Sequence, residues 1–99
     1  MILVNGVATA QVDALDRGLA YGDGVFRTLR TRDGEPLWWN DHYVRLAADC
    51  AALALDCPDA AVLRDEIGRV AEVGEGVAKI VVTRGAGAGG VHAVRCAAG

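Results

Sequence analysis

The segment that most constrains the fold is residues 77–83, Val-Ala-Lys-Ile-Val-Val-Thr. It is a short and nearly continuous apolar run rich in β-branched residues, and such a run predicts a strand with both faces buried. A strand of that kind lies inside a sheet, so the rest of the chain has to supply its partners and covering elements. The 99 residues are enough for one such domain and too few for two.

The chain opens with a predicted hairpin. Residues 2–4 are apolar and lead into Asn5-Gly6, a pair that favours a two-residue turn, after which the chain can return as a second short strand. Residues 13–24 follow without a clear period. Because they are rich in Gly and Asp, we expect a structured loop there.

A second hairpin is predicted before the helices. Residues 25–31 alternate in the manner of a strand, and an Asp-Gly pair at residues 33–34 predicts a tight turn. One face of the strand then carries Phe26, Thr28 and Arg30. Residues 36–39 are expected to form the returning strand, and the proline at its start suits a sheet edge.

Two helices are predicted between this hairpin and residues 77–83. Asn40 or Asp41 is the expected N-cap of the first, because its side-chain oxygen can accept from the free amides of the first turn. The first apolar stripe is Tyr43, Leu46, Ala47, Cys50, Leu53 and Ala54. The second is Leu63, Ile67, Val70 and Ala71, in a helix that ends near Gly74 or Gly76. With a last strand over residues 91–96, this order predicts an α+β fold of two layers.

Charge and segment composition exclude several classes of protein. Ten Lys and Arg residues against 13 Asp and Glu give a formal net charge of −3, so a basic surface for nucleic acid is not expected. No apolar run approaches the roughly 18 residues that span a membrane, and the first residues lack the basic start of a signal peptide. We therefore expect a cytoplasmic protein that binds neither nucleic acid nor membrane.

Neither the cysteines nor the histidines predict a site. Three cysteines without a secretion signal argue against a disulfide framework, and Cys50, on a helix stripe, is expected to be a small buried hydrophobe. His42 and His92 lack a partner at metal-ligand spacing, so no metal site is assigned. Residues 85–90 fit G-x-G-x-x-G, but a strand is predicted after them where a dinucleotide site needs a helix, so we expect a loop.

Two cations stand in unusual places. Arg45 precedes Leu46 beside the apolar stripe, where a guanidinium needs an anionic partner unless its stem carries it to the surface. Lys79 is the only lysine and falls within the apolar strand. Burial there would favour Schiff-base chemistry, and the alternative is a side chain that faces outward.

Short segments spread in order over residues 1–87 resemble the class IV, fold-type IV enzymes that use pyridoxal phosphate. The segments are Asn5-Gly6, Asp16-Arg17-Gly18, Tyr21-Gly22-Asp23-Gly24-Val25-Phe26, Thr28-Leu29-Arg30, Asp41-His42, Arg45-Leu46 and residues 79–85. The family includes branched-chain and D-amino-acid aminotransferases and aminodeoxychorismate lyases. The resemblance implies that residues 1–87 form the N-terminal lobe, a two-layer α/β unit of the D-amino-acid aminotransferase-like fold.

Within the family, the chain is most similar to the lyases. These split 4-amino-4-deoxychorismate into 4-aminobenzoate and pyruvate, a step of folate synthesis. Thr28 stands where the lyases tend to carry Thr and the branched-chain aminotransferases Gly. The alternatives are a lobe of a branched-chain or D-amino-acid aminotransferase and a non-catalytic dimerising fragment.

The resemblance also implies roles for single residues. Arg45 would bind the phosphate of pyridoxal 5'-phosphate. The residues expected to line the substrate pocket are Tyr21, Phe26, Thr28 and Arg30. Members of the family are homodimers, and Tyr21 is a candidate for the pocket of a neighbouring subunit.

The chain departs from the family pattern in two ways. The Schiff-base lysine of the family belongs to a second lobe beyond residue 99, and Lys79 does not match it, so no catalytic residue is assigned. Residues 88–99 do not match the pattern either, which predicts a divergent or truncated tail. A truncated lyase is therefore expected, and whether this chain alone is an enzyme is left open.

Overall fold

The computed structural model describes residues 1–86 and the backbone of residues 94–98. Its strands are β1 (Ile2–Val4), β2 (Val7–Ala8), β3 (Gly24–Arg32), β4 (Glu35–Pro36), β5 (Glu75–Thr83) and β6 (Val94–Ala98). Its helices are α1 (Arg17–Tyr21), α2 (Trp39–Ala52) and α3 (Ala60–Val70). The strands form one sheet in the order β2-β1-β6-β5-β3-β4, and each neighbouring pair is antiparallel.

The core lies between this sheet and the two longer helices. Its most buried side chains are Leu46 and Cys50 from α2, Leu63 and Ile67 from α3, Leu29 from β3, and Ala78, Ile80 and Val82 from β5. Burial of this apolar surface is the main stabilising contribution to such a layer pair. The two-layer α+β architecture predicted from the sequence is confirmed.

Both predicted hairpin turns are present. Asn5 and Gly6 have φ angles of 51° and 80°, and Asp33 and Gly34 have φ angles of 49° and 82°. Two successive residues with positive φ match the right-handed twist of the flanking strands. These local pairs set the register of β1 with β2 and of β3 with β4.

The prediction of a returning strand over residues 36–39 is wrong except at Pro36, which belongs to β4. Trp38 adopts a left-handed φ of 52°, and Trp39 already begins α2. Trp38 is therefore the N-cap of α2, where Asn40 or Asp41 was expected. Within the described residues it makes no side-chain capping hydrogen bond. Burial of the Trp39 ring in the core outweighs the preference of aromatic residues for strands.

Both longer helices end earlier than predicted. α2 ends before Leu53 and Ala54, two members of the expected stripe, and Ala54 turns with a φ of 53°. α3 ends before Ala71, whose extended backbone leads the chain towards β5, so the helix does not reach Gly74 or Gly76. In each case the chain leaves the helix to meet the sheet.

The expected loop over residues 13–24 contains the short helix α1. Asp16 caps it by accepting a hydrogen bond from the Gly18 amide at 2.7 Å, and Gly22 ends it with a left-handed φ of 65°. Gly18 is needed because a Cβ at this position would overlap the Cγ2 atom of Thr83. A helix of little more than one turn is too short to show a hydrophobic period in the sequence.

The prediction that residues 77–83 are buried on both faces is wrong. Ala78, Ile80 and Val82 are buried under the helices, whereas Val77 and Lys79 are exposed on the opposite side. The two longer helices cover only one face of this sheet. The opposite side, which we call the open face, carries Phe26, Thr28 and Arg30 from β3 and Val77, Lys79 and Val81 from β5.

Strand β6 lies in the middle of the sheet, between β1 and β5. The last strand was predicted over residues 91–96 and is found at Val94–Ala98. The Gly-rich loop from residue 87 onward, His92 and the predicted boundary at residue 87 lie outside the described residues. The divergence of residues 88–99 from the family therefore stays a prediction. Within the described ranges, no helix is long and apolar enough to cross a bilayer.

Candidate active site

The open face brings together three of the four predicted substrate residues. Phe26, Thr28 and Arg30 are all exposed on one side of β3, as their alternation predicts. Tyr21 lies at the end of α1 and is 73% exposed. The guanidinium carbon of Arg17 lies 4.7 Å from the centre of the Tyr21 ring, a cation–π contact that helps to orient it.

A cleft of about 370 Å³ lies between α1 and the open face. Its lining is mainly apolar and is formed by Val12, Asp16, Gly18, Leu19, Gly22, Gly24, Val25, Phe26, Lys79, Val81 and Thr83. Lys79 contributes its ammonium group, which lies 5.0 Å from the centre of the Phe26 ring. The cleft has the size and the apolar walls of a small-molecule site.

Of the two placements that the sequence left open for Lys79, burial and an outward-facing side chain, the structure shows the outward-facing one. The register places Lys79 directly opposite Thr28, and Val81 opposite Phe26. Strict alternation with the buried Ala78 and Ile80 was the pattern that could have placed Lys79 outward.

A buried carboxylate fixes α1 to the end of β5 and so forms one wall of the cleft. Asp16 is 4% exposed, and its two oxygens accept from the Gly18 amide at 2.7 Å and the Thr83 hydroxyl at 3.0 Å. The same hydroxyl oxygen accepts from the Gly85 amide at 3.1 Å. This network satisfies the Asp16 carboxylate, as a buried charge requires. Sequence reasoning missed it, since Asp16 and Thr83 are 67 positions apart.

A second carboxylate, that of Asp23, holds two arginines, one from α1 and one that follows β5. Its Oδ2 atom accepts from Nε of Arg84 at 2.8 Å and from Nε of Arg17 at 3.0 Å. These hydrogen bonds, that of Arg84 first, lower the pKa of the Asp23 carboxyl. Arg84 also donates to the carbonyl oxygens of Leu53 at 2.6 Å and Ala54 at 3.2 Å, which ties the end of α2 to the same point.

The predicted phosphate ligand, Arg45, lies on the helical side of the sheet. Arg45 is exposed, which is the surface placement that the sequence left open for it beside the core-facing one. Its charge nevertheless acts on His42, whose Nδ1 atom lies 2.9 Å from Nη2 of Arg27. Burial first, and then the charges of Arg27 and Arg45, lower the pKa of His42, while Asp41 acts in the opposite direction.

Arg27, His42 and Arg45, which we call the cationic cluster, were not grouped by the sequence analysis. The guanidinium of Arg27 is a permanent donor, so its contact with Nδ1 fits a neutral imidazole that accepts there. The Nε atom of Arg27 is buried and has no hydrogen-bond partner within the part of the chain that the structure describes. Two guanidinium groups with a free buried donor favour an anion at this place.

The cationic cluster and the open face flank the same edge of the sheet. β4 pairs only with Thr31 and Arg32, so from Gly24 to Thr28 the outer edge of β3 has no strand partner among the described residues. Arg27 points to the helical side of that edge and Phe26 and Thr28 to the open side. A ligand at the edge can therefore reach both sets of side chains.

Comparison with known proteins identifies the family. A family model described as amino-transferase class IV matches residues 24–98, about three quarters of the chain. The chain belongs to the class IV aminotransferase family. The family predicted from the sequence motifs is thus confirmed.

Relatives within class IV include both lyases and transaminases. An aminodeoxychorismate lyase of Vibrio harveyi is 32% identical, over 91% of this chain and 34% of its own length. The crystal structure of 4-amino-4-deoxychorismate lyase from Pseudomonas aeruginosa matches all of this chain and 39% of that chain, with 40% identity and a TM-score of 0.85. A fold IV-transaminase of Curtobacterium pusillum matches 91% of this chain and 33% of that chain, with 36% identity and a TM-score of 0.76.

These matches confirm the fold-type IV architecture. They also show that the chain spans 33–39% of the length of these relatives. The matched part contains the open face and the cationic cluster, because both lie between residues 26 and 81.

Proposed function

We propose that this chain is the part of a pyridoxal-phosphate-dependent lyase that holds the cofactor phosphate and one side of the substrate. The reaction would release pyruvate from 4-amino-4-deoxychorismate and leave 4-aminobenzoate. The observation that carries the proposal is Thr28, which is exposed at the centre of the open face between Phe26 and Arg30. The similarity to the lyases of Vibrio harveyi and Pseudomonas aeruginosa supports it over most or all of the chain.

The cationic cluster fits the phosphate group of the cofactor. The cofactor phosphate is a dianion that accepts several hydrogen bonds, and Arg27 offers a buried Nε donor that has no partner among the described residues. Arg45 would hold the phosphate oxygens from its exposed position on α2, with Arg27 and His42 behind it. Bound pyridoxal phosphate supplies an electron sink at the carbon that reacts.

The residues of the open face would orient the substrate. Arg30 carries a permanent charge that suits a substrate carboxylate, and Phe26 offers the face of its ring. Thr28 lies between them with a hydroxyl that both donates and accepts. We assign no proton-transfer group in this chain, since its only lysine, Lys79, does not match the Schiff-base lysine of the family.

An aminotransferase is the second candidate, and the similarity to the fold IV-transaminase favours it. The two reactions differ in their products, because a lyase forms pyruvate without an amino acceptor. The full-length enzyme of which this chain is proposed to be a part is therefore incubated with pyridoxal phosphate and 4-amino-4-deoxychorismate, and pyruvate and 4-aminobenzoate are both measured. Equal amounts of the two products support the lyase, and amino transfer to an added keto acid with no pyruvate overturns it.

A matched variant connects the assay to the open face. Thr28→Gly removes the side chain that distinguishes the two groups of relatives by resemblance, and Thr9→Gly is its control at a half-buried position ahead of α1. We expect Thr28→Gly to lower pyruvate release at least about tenfold, the effect of roughly one lost hydrogen bond in the transition state. Thr9→Gly should leave the rate unchanged.

The assembly and location of the protein are part of the same proposal. We propose a cytoplasmic homodimer in which the exposed ring of Tyr21 serves the neighbouring subunit. Sedimentation gives the number of subunits, and Tyr21→Ala tests the role of the ring. A monomer that keeps full activity would overturn the proposed homodimer and the role of Tyr21 in it, but not the proposed reaction.

A further inference from the structure

We infer that Lys79 binds a carboxylate carried by a planar ring, with the ring seated on the apolar floor of the cleft beside Phe26. The inference rests on the proposed function, because it gives a specificity to one side of the same site. It adds a residue to which the family resemblance gave no role. The ligand class is an aromatic or cyclohexadiene carboxylate, of which 4-aminobenzoate is the simplest probe.

The position of the Lys79 ammonium group is the first observation. It lies 5.0 Å from the centre of the Phe26 ring and lines the cleft. Lys79 is exposed, and its strand register places it opposite Thr28. The contact with the ring face holds the long side chain over the cleft and reduces the entropy that it would lose when a ligand binds.

The charge of Lys79 is not neutralised by a carboxylate of residues 1–86. None of the ion pairs within residues 1–86 includes Lys79. Asp16 also lines the cleft, but the Gly18 amide and the Thr83 hydroxyl already occupy its two oxygens. The ammonium group is therefore available for an anion brought by a ligand.

The floor of the cleft selects what that anion is attached to. Around Lys79 the apolar side chains of the cleft are those of Leu19, Phe26 and Val81. A flat apolar ring buries its faces against such walls and gains an offset or edge contact with Phe26. A small aliphatic acid reaches the same cation without covering this surface, so the cleft favours ring carboxylates over alanine-like substrates.

The test separates the carboxylate from the ring. Binding of 4-aminobenzoate and of aniline, which lacks the carboxylate, is measured by calorimetry and by chemical-shift changes of the Phe26 ring. The proteins are the wild type, Lys79→Met, Lys79→Arg and the control Arg64→Met, which removes a cation from α3 in the helical layer. Thermal unfolding shows that each variant is folded.

We expect Lys79→Met to weaken 4-aminobenzoate about tenfold or more, the usual effect of losing a charge-assisted hydrogen bond. Aniline binding should not change, Lys79→Arg should retain most of the affinity, and Arg64→Met should behave as the wild type. Three results would each overturn the inference. Lys79→Met could affect the binding of both ligands equally, it could affect neither, or the wild type could fail to bind 4-aminobenzoate.

The result is distinguishable from failure of the proposed function. If Lys79→Met selectively loses 4-aminobenzoate binding but the wild type releases no pyruvate, the carboxylate site is supported and the lyase function is rejected. Pyruvate release that survives Lys79→Met with an unchanged KM would support the lyase and reject the role of Lys79.

Discussion

Asp23 and Arg84 are joined by both their side chains and their backbones. Nε of Arg84 donates to Oδ2 of Asp23 at 2.8 Å, and the Arg84 amide donates to the Asp23 carbonyl at 3.1 Å. The two residues are 61 positions apart in the sequence. Their contact fixes the turn before β3 against the segment that follows β5, where α1 and the cleft meet.

Loss of the Asp23 charge should therefore destabilise this end of the sheet. Asp23→Asn keeps the shape but weakens the hydrogen bonds from Arg84 and Arg17, so we expect a lower midpoint of thermal unfolding at pH 7. Because folding lowers the pKa of Asp23, the stabilisation is complete above the unfolded value of 3.8 and is lost as the pH falls through the folded pKa. The difference between variant and wild type should shrink in that range. Asp65→Asn, on the exposed side of α3, is the control, and an unchanged midpoint for Asp23→Asn would contradict the account.

The ionisation of His42 should respond to Arg45. Arg45→Gln removes one of the charges that lower the pKa of His42, so the pKa should rise but stay below 6.5, because burial still acts. In the wild type, as the pH falls, His42 is protonated at a higher pH in the unfolded chain than in the folded protein. The stability from a neutral His42 is therefore complete above pH 6.5 and decreases as the pH falls towards the folded pKa.

NMR titration of the His42 ring measures this shift directly. Arg64→Gln on α3 serves as the control and should leave the titration of His42 unchanged. A pKa of His42 that does not move in Arg45→Gln would place Arg45 outside the cationic cluster.

Close approach at Gly18 should make its replacement costly. An alanine Cβ there would meet Cγ2 of Thr83, and that side chain cannot turn away freely because Asp16 holds its hydroxyl. We expect Gly18→Ala to lower the free energy of unfolding by about 1–3 kcal/mol. Gly68→Ala in α3 is the matched control. A Cβ at this position would lie 3.7 Å from its nearest neighbour, the carbonyl oxygen of Gly34, so we expect the substitution to be neutral or stabilising by up to about 1 kcal/mol. Denaturant unfolding compares the two, and equal effects would contradict the packing of α1 on β5.

Cys50 should be inert in the folded protein. Burial in the core, with Cys57 nearby, raises the pKa of the Cys50 thiol to about 12, so almost no thiolate exists at pH 8. We expect a thiol reagent to modify the partly exposed Cys57 first and Cys50 only after unfolding. Peptide mass spectrometry with and without denaturant measures both sites, and Cys50→Ala identifies the peptide. Modification of Cys50 and Cys57 at equal rates in native conditions would show that the core is open.

The parts of the fold that were predicted correctly are those that short segments determine. Asn5-Gly6 and Asp33-Gly34 form their turns through local backbone preference, and Phe26, Thr28 and Arg30 share a face because strand alternation requires it. Family motifs then supplied what local physics does not, namely the identity of the fold.

The parts that were missed depend on contacts between distant residues. The left-handed turn at Trp38 exists because Trp39 packs in the core, and α1 exists because Asp16 binds Thr83. Residues 77–83 are buried on a single face because helices cover a single side of the sheet. The number of covered sides cannot be predicted from the composition of the strand. The pairing of Arg27 with His42 likewise follows from the packing of α2 on β3.

The most direct test of the account is whether the free edge of β3 binds the cofactor through its phosphate. Affinities for pyridoxal phosphate and for pyridoxal, which lacks the phosphate, are measured by fluorescence in the wild type and in Arg45→Gln. We predict that Arg45→Gln weakens the binding of pyridoxal phosphate by roughly tenfold to a hundredfold, as expected for a lost charge-assisted contact, and leaves the binding of pyridoxal unchanged. Equal affinities of the wild type for the two compounds, or an Arg45→Gln variant that binds pyridoxal phosphate as the wild type does, would contradict it.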